Sequence, residues 1–246
     1  MQAINGKDAF TEGKEMNIKY NPLTWFVRQK LWQVGLDICS YPNMPQLLSE
    51  CDLVIDAGAN EGCIYKFIRS FGYRGNIVSI EANPSTYAKM LQKSGYNWLR
   101  ENLCLSDKQE MLTFYQRGGD GSFDGVHTQA GDKDGIKVSA IRLDSLTFPK
   151  AENIFLKIDC EGHDLAVMRG ASGLFKRTRY VMMEVPVCPR YEEHQTFSQA
   201  ITAMSQLGFE VSNFIGNIFH ADRIKSQAFD MIFQNVASQE NKNAEA

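Results

Sequence analysis

The chain has 246 residues, of which 43% are hydrophobic and 22% charged, with a formal net charge of −3 at pH 7. This length and composition favour one large, soluble α/β domain over two full domains. Because lysines and arginines are scattered rather than clustered, the charge pattern argues against DNA or long RNA as the main partner. Residues 1–15 lack the apolar centre of a signal peptide, and no apolar run is long enough to span a membrane.

The cysteines form no CxxC pair and have no histidine at zinc-finger spacing. We therefore expect reduced thiols, and with them a cytoplasmic location. The residues concerned are Cys39, Cys51, Cys63, Cys104, Cys160 and Cys188.

Residues 1–50 predict an N-terminal helical extension, which could cover a cofactor or a substrate. Its one amphipathic helix is indicated by Trp25, Phe26, Leu31, Trp32, Val34 and Leu36. Residues 51–237 form the predicted main domain, and residues 238–246 a polar, frayed tail.

Within the main domain, apolar runs of strand length alternate with helical patterns. The predicted strands are 53–55, 77–80, 99–105, 154–158, 180–185, 209–214 and 229–233, and the predicted helices are 64–71, one beginning at Pro84, 167–175 and 197–207. This alternation predicts an α/β fold with a seven-stranded, mostly parallel, doubly wound sheet. Segments 112–115 and 137–141 also look like strands and predict a β insertion around the Gly-rich loop 118–125.

The segment Asp56–Gly62 lies between the first strand and the first helix. Gly58 and Gly62 let the backbone of this turn approach a ligand closely. Asp56, just before the turn, suits an amino-acid ligand because it can orient an ammonium group through water or the turn amides. Ligands of doubly wound sheets bind at this end of the strands.

Glu81 closes the second strand, 23 residues after Gly58. An acid there can accept hydrogen bonds from both hydroxyls of a ribose. Asn60 replaces the second glycine of the dinucleotide fingerprint, which a pyrophosphate needs and a sulfonium amino acid does not. The pattern favours S-adenosylmethionine (SAM) over a dinucleotide; the alternative is a tight turn capped by Asn60, with Glu81 as a solvated strand end.

Three segments make the sequence resemble the FkbM-type methyltransferases: Leu53–Gly62, Val78–Pro84 and, above all, Leu156–Asp164. The resemblance covers about residues 36–217. Further matches are Asn102, Leu105–Asp107, Arg142–Leu146 and Arg169–Ala171. The chain departs from the family at Ala82, commonly a proline, and at Asp164, often a glutamate, and neither departure touches the inferred ribose contact.

The resemblance implies a class I methyltransferase fold, SAM as the cofactor, and O-methylation, often of sugars in glycans, lipids or secondary metabolites. The cofactor-binding residues that it implies are Asp56, Gly58, Asn60, Gly62, Glu81, Asn102, Ser106 and Asp107. The first four would line the methionine end, Glu81 would hold the ribose, and Asp107 would accept from the adenine amino group. An ordinary loop hydroxyl is the alternative for Ser106.

The segment 159–164 and the end of the next strand predict the catalytic residues. Transfer of a methyl group to a hydroxyl needs an aligned oxygen and a base for its proton. His163 titrates in the useful range and is the candidate base. Asp159 and Glu184 could orient it, act as base or bind a metal, and local helix-start and capping roles for His163 and Asp159 are the alternatives.

Metal binding is the weaker interpretation of the acidic residues near these strand ends. Asp159, Glu161, Asp164 and Glu184 could supply oxygen ligands, but their spacing defines no geometry, and we predict no required metal.

We therefore predict a SAM-dependent O-methyltransferase acting on a hydroxyl of a sugar, glycan or glycosylated metabolite, with a small-molecule or carbohydrate acceptor as its partner. An N- or O-methyltransferase of a non-sugar natural product and a catalytically silent SAM-binding partner subunit are the alternatives. A nucleotide-linked oxidoreductase is disfavoured by Asn60. The sequence leaves a homodimer open.

Overall fold

The computed structural model of the protein describes residues 44–117, 124–127, 135–188, 195–219 and 226–237. The predicted helix within residues 25–36, most of the Gly-rich loop and the polar tail lie outside these ranges. None of the helices in the described ranges is long and apolar enough to cross a membrane. The five cysteines in these ranges are free thiols.

The described strands and helices occupy most of the predicted positions. The strands are β1 (Leu53–Ala57), β2 (Asn76–Glu81), β3 (Trp98–Asn102), β4 (Cys104–Ser106), β5 (Glu110–Phe114), β6 (Ile136–Arg142), β7 (Ile154–Ile158), β8 (Thr178–Pro186), β9 (Phe209–Phe219) and β10 (Ser226–Asn235). The helices are α1 (Met44–Ser49), α2 (Cys63–Ser70), α3 (Pro84–Leu91), α4 (Asp164–Gly170) and α5 (Phe197–Gln206), with short 3-10 turns at Leu143–Ser145 and Ser172–Leu174.

The main sheet has seven strands in the order β3-β2-β1-β7-β8-β10-β9. Strand β10 runs antiparallel to both of its neighbours, and the remaining pairs are parallel. The predicted seven-stranded, mostly parallel sheet is therefore confirmed. Chain order reverses at β1, which lies between β2 and β7, and such a switch point opens a crevice at the carboxyl ends of the strands.

Strands β1 and β7 are buried along their whole length because helices cover both faces of the sheet. Side chains alternate between the faces, so Leu53 and Ile55 join one hydrophobic core while Val54 joins the other. Met44 and Leu48 of α1, which the sequence placed in the extension, pack into the same core as Val54. This packing on both faces holds the carboxyl ends of β1 and β7 in place.

The single strand predicted at 99–105 is two strands in the structure. Strand β3 ends in the main sheet where Asn102 pairs with Glu81, and β4 then pairs in parallel with β6 in a three-stranded sheet of order β4-β6-β5. The predicted β insertion forms the rest of this small sheet. Apolar periodicity cannot show the split, because a strand that changes partners keeps its local pattern.

Candidate active site

A cavity of about 330 Å³ opens at the carboxyl ends of β1, β2, β7 and β8. Its volume falls within the usual range for sites that bind small molecules. It is lined by Gly58, Asn60, Ile80, Glu81, Ala82, Leu103, Cys104, Leu105, Phe114, Asp124, Gly125, Val126, Asp159, Cys160, Glu161, His163 and Glu184. The switch point of the main sheet and the small sheet therefore build the cavity together.

The turn after β1 is held tightly against its neighbouring strands. The backbone N–H groups of Gly58 and Ala59 both donate to the carbonyl of Ile80, at 3.0 Å each. Gly58 has a φ of 76°, and a Cβ there would lie 1.8 Å from the carbonyl oxygen of Asp159. A glycine is therefore required for the turns after β1 and β7 to meet at the cavity floor.

Glu81 is held by backbone donors on both sides of its carboxylate. Asn60 N–H donates to Oε2 and Asn83 N–H donates to Oε1, each at 2.7 Å. Burial raises the pKa of Glu81 above its usual value, while these two N–H groups oppose that rise. Each carboxylate oxygen keeps a further lone pair for a ligand hydroxyl, so Glu81 is a pre-oriented acceptor on the cavity wall.

A buried ionic cluster lies beneath the turn. The Nζ atom of Lys157 is 3.2 Å from Oδ2 of Asp159 and 3.5 Å from Oδ1 of Asp56, and it donates to the carbonyl of Gly58 at 3.1 Å. Burial disfavours the lysine charge, but Asp159 and Asp56 overcome this and raise the pKa of Lys157. The cluster thus ties β1 to β7 directly below the cavity.

His163 is the one basic side chain among the described residues that line the cavity. Burial, reinforced by the neighbouring His127 ring 5.8 Å away, lowers the pKa of His163 to about 4. Its Nε2 atom lies 3.2 Å from Oγ of Ser106. At neutral pH the imidazole is uncharged and keeps one unprotonated ring nitrogen.

Asp164 closes the turn that carries His163. Its Oδ1 accepts from Cys160 N–H at 2.7 Å and its Oδ2 from Gly162 N–H at 3.0 Å. Burial raises the pKa of Asp164 to about 6. The start of α4 has no side-chain cap, so the capping that the sequence offered as an alternative role for Asp159 is not formed, and 39% of the Asp159 side chain is exposed at the cavity.

The Methyltransferase FkbM domain model matches residues 56–211, which is more than half of the chain. The chain belongs to the FkbM methyltransferase family. It is a SAM-dependent methyltransferase, and its seven-stranded sheet with one antiparallel strand has the predicted class I methyltransferase architecture. Among curated proteins, no sequence matches this chain.

Three solved structures are similar to this FkbM-family methyltransferase. Magnesium protoporphyrin IX methyltransferase from Synechocystis PCC 6803, with bound SAM, is 11% identical with a TM-score of 0.44, over 91% of this chain and 86% of that one. A SAM-dependent methyltransferase from Methanosarcina mazei is 15% identical with a TM-score of 0.46, over 81% and 99%. The 1,6-didemethyltoxoflavin-N1-methyltransferase of Burkholderia thailandensis is 11% identical with a TM-score of 0.45, over 79% and 77%.

The side chains that line the cavity of this methyltransferase suit the chemical groups of SAM. Glu81 presents the carboxylate that was predicted to accept from ribose hydroxyls, and Ile80, Leu105 and Phe114 form an apolar surface of the kind that a flat base would contact. No lysine or arginine occurs among the described residues of the lining. Its five acidic members are Glu81, Asp124, Asp159, Glu161 and Glu184. An acidic lining suits a cofactor that carries a sulfonium charge.

The structure brings six of the predicted site residues to the cavity, namely Gly58, Asn60, Glu81, Asp159, His163 and Glu184. The predicted residues outside its lining are Asp56, Gly62, Asn102, Ser106 and Asp107. Asp56 is fully buried and accepts from Oγ of Ser79 at 3.1 Å. The ligand contacts implied by the resemblance remain predictions, both for the residues in the cavity lining and for those outside it.

The other outlying residues have protein partners. A Cβ on Gly62 would lie 2.6 Å from the ring of Trp98, and Nδ2 of Asn102 donates to the Glu81 carbonyl at 2.8 Å. Asp107 forms an ion pair with Nε of Arg169 at 3.0 Å. Asn102 therefore joins β3 to β2 at Glu81, and the space at Gly62 is too small for a side chain.

Sequence reasoning missed Lys157 and Asp124. A lysine inside the otherwise apolar strand Ile154–Ile158 is a signal that could have been used, because a buried charge requires a partner. Asp124 borders the Gly-rich loop, yet it is buried, accepts from Arg117 N–H at 2.7 Å and is bound by Nδ2 of Asn83. Nothing in its local pattern distinguished it from a loop residue.

Among the described residues, no group of three or more His, Cys, Asp or Glu side chains is arranged to hold a metal ion.

Proposed function

We propose that this FkbM-family enzyme transfers the methyl group of SAM to a hydroxyl of a neutral, sugar-like acceptor. The observation that carries the proposal is His163, an uncharged imidazole on the cavity wall whose pKa is lowered to about 4 by burial and His127. A neutral imidazole can take the proton of a hydroxyl as its oxygen attacks. An imidazolium could not.

The residues that would hold SAM are those at the β1–β2 end of the cavity. Glu81 would accept from the ribose hydroxyls, and the apolar residues Ile80, Leu105 and Phe114 would contact the base. When bound, SAM supplies an electrophilic methyl group whose bonding electrons remain with sulfur after transfer. Asp159 and Glu184, at the carboxyl ends of β7 and β8, would orient the acceptor.

The charge of the lining supports a neutral acceptor. An acceptor bearing a phosphate or carboxylate would meet repulsion from Asp159, Glu161 and Glu184, and like charges brought together are costly. Sugar hydroxyls, in contrast, can donate to carboxylates without adding charge. A cationic amine is the second candidate acceptor, because the same carboxylates would attract it.

A labelled-methyl transfer assay tests both candidates. Purified protein is incubated with radiolabelled SAM and a matched set of acceptors: a neutral glycoside, the corresponding amino sugar and the corresponding sugar phosphate. We expect label on the neutral glycoside and none on the phosphate. Transfer to the phosphate in preference to the glycoside would contradict the neutral-acceptor proposal, and transfer only to the amino sugar would favour the second candidate.

A further inference from the structure

A chain of hydrogen bonds joins Glu110, Ser106 and the candidate base His163. Oγ of Ser106 donates to Oε1 of Glu110 at 2.9 Å and lies 3.2 Å from Nε2 of His163. Ser106, the last residue of β4, is fully buried, and Glu110 is the first residue of β5. The small sheet therefore contacts His163, the residue that precedes α4.

The chemistry of the three groups determines the direction of these hydrogen bonds. A hydroxyl has one hydrogen, and an ionised carboxylate can only accept. With its hydrogen directed to Glu110, Ser106 can only accept from His163, so the hydrogen must lie on Nε2. A neutral imidazole carries one ring hydrogen, and Nδ1 is therefore the unprotonated nitrogen.

We propose that Glu110 and Ser106 are positioning residues that hold His163 in the Nε2–H tautomer and leave Nδ1 to accept the proton of the methyl acceptor. The tautomer is a property of the protein without ligand. Its use in catalysis rests on the proposed function, in which His163 is the base. Ser106 thus bonds to Glu110 on one side and to His163 on the other. It lies in β4, whereas the alternative for it was an ordinary loop hydroxyl.

The same chain stabilises His163 after it has accepted the proton. The imidazolium keeps Nε2–H on Ser106, whose oxygen is polarised by the carboxylate of Glu110, and hydrogen bonds to charged groups are stronger than neutral ones. Four charged or titratable neighbours act on the ring: Asp107 and Glu110 raise its pKa, whereas His127 and Arg169 lower it together with burial. Removing the Glu110 charge should therefore lower the pKa of His163 further.

Nuclear magnetic resonance of the ring nitrogens tests the proposal on the full chain at pH 7. Labelled histidine gives separate nitrogen signals for protonated and bare ring positions, and His163→Gln identifies the signals of His163. We expect the unaltered protein to show Nε2–H. The Nδ1–H tautomer in the unaltered protein would overturn the proposal, whatever the variants do.

Glu110→Met then removes the acceptor of the Ser106 hydrogen while keeping a side chain of similar length. Ser106 can now donate to Nε2, so we expect the population to shift towards Nδ1–H. The matched control is Lys108→Met, because Nζ of Lys108 lies 3.3 Å from the other oxygen of Glu110 and its side chain is 68% exposed. The control should keep Nε2–H, and an unchanged tautomer in Glu110→Met would overturn the role of Glu110.

Steady-state kinetics separate this proposal from the proposed function. With the tautomer shifted, we expect kcat of Glu110→Met to fall roughly tenfold or more while KM for SAM and for the acceptor stays within about twofold, as for a lost orienting partner. A shifted tautomer with unchanged kcat in both Glu110→Met and His163→Gln would overturn the catalytic use of His163 and leave only the structural chain.

Discussion

The two ends of the cavity are built by different interactions. At the β1–β2 end, Glu81 and the turn at Gly58 are held by backbone N–H donors. At the β7–β8 end, Lys157 pairs with the buried Asp56 and the partly exposed Asp159, and His163 bonds to another side chain. Backbone donors keep their hydrogens at any working pH, whereas the His163 ring can gain or lose a proton. The proposed function accordingly places cofactor binding at the first end and proton transfer at the second.

The largest effect should come from the ionic cluster at the second end. Lys157→Met leaves Asp56 fully buried without its cation, and breaking a buried pair on one side costs about 3–5 kcal/mol. We expect this loss in the free energy of unfolding, measured by urea denaturation. The exposed Lys150→Met is the control and should change little. Wild-type stability of Lys157→Met would show that Asp56 needs no counter-charge; Asp56→Asn added to Lys157→Met should recover part of the loss.

His163→Gln should reduce kcat by roughly 10²–10⁴-fold, the usual contribution of a positioned base. Because the pKa of His163 is lowered to about 4, the loss of activity that comes from protonation of its ring should occur as pH falls through about 4. The kcat of His163→Gln and the pH dependence of kcat/KM, which reports groups of the free enzyme, check the two statements, with SAM affinity measured by calorimetry. Retained turnover in His163→Gln, or an acid limb near pH 4 that persists in the residual activity of His163→Gln, would remove His163 from the mechanism.

Glu81→Ala should weaken SAM binding at the first end. Loss of hydrogen bonds to a carboxylate costs about 1.5–3 kcal/mol, which corresponds to a rise in Kd of roughly 10- to 150-fold. Isothermal titration calorimetry measures this, with Glu101→Ala on the exposed part of β3 as the control. An unchanged Kd for Glu81→Ala would place the ribose elsewhere.

The smallest effect on SAM affinity should come from Asn83→Ala. The Asn83 side chain caps α3 by accepting from Ser85 N–H at 2.9 Å, and loss of such a cap costs about 1 kcal/mol. Its Nδ2 also donates to the buried Asp124, and loss of that hydrogen bond should add about 1.5–3 kcal/mol to the loss in the free energy of unfolding. SAM affinity should change less than in Glu81→Ala, because the contact to Glu81 comes from the Asn83 backbone. Thr196→Ala, which removes the capping box of α5, should lose only the share of stability that belongs to a cap, without touching the cavity. A Kd rise in Asn83→Ala as large as in Glu81→Ala would contradict the division between backbone and side-chain roles.

Particular residues show how far sequence reasoning reached. Glu81 and the turn Asp56–Gly62 were found because an acid at a strand end and glycines in a βα turn leave a local pattern. Lys157 and Asp124 were missed because their importance depends on neighbours far along the chain: Asp56 in one case and Asn83 in the other. Asp107 matched the family motif, yet in the structure its carboxylate pairs with Arg169.

The sequence by itself determined the order of strands and helices, the turn after β1 and the family, because burial alternation, helix starts and glycine turns depend on residues close along the chain. Only the tertiary structure decided which strand ends lie next to each other at the cavity. Gly58 must be a glycine because Asp159 lies against it, and Ser106 contacts His163 across 57 positions of the chain. Hydrogen-bond partners and burial of charge depend on distances in space, and no local pattern records them.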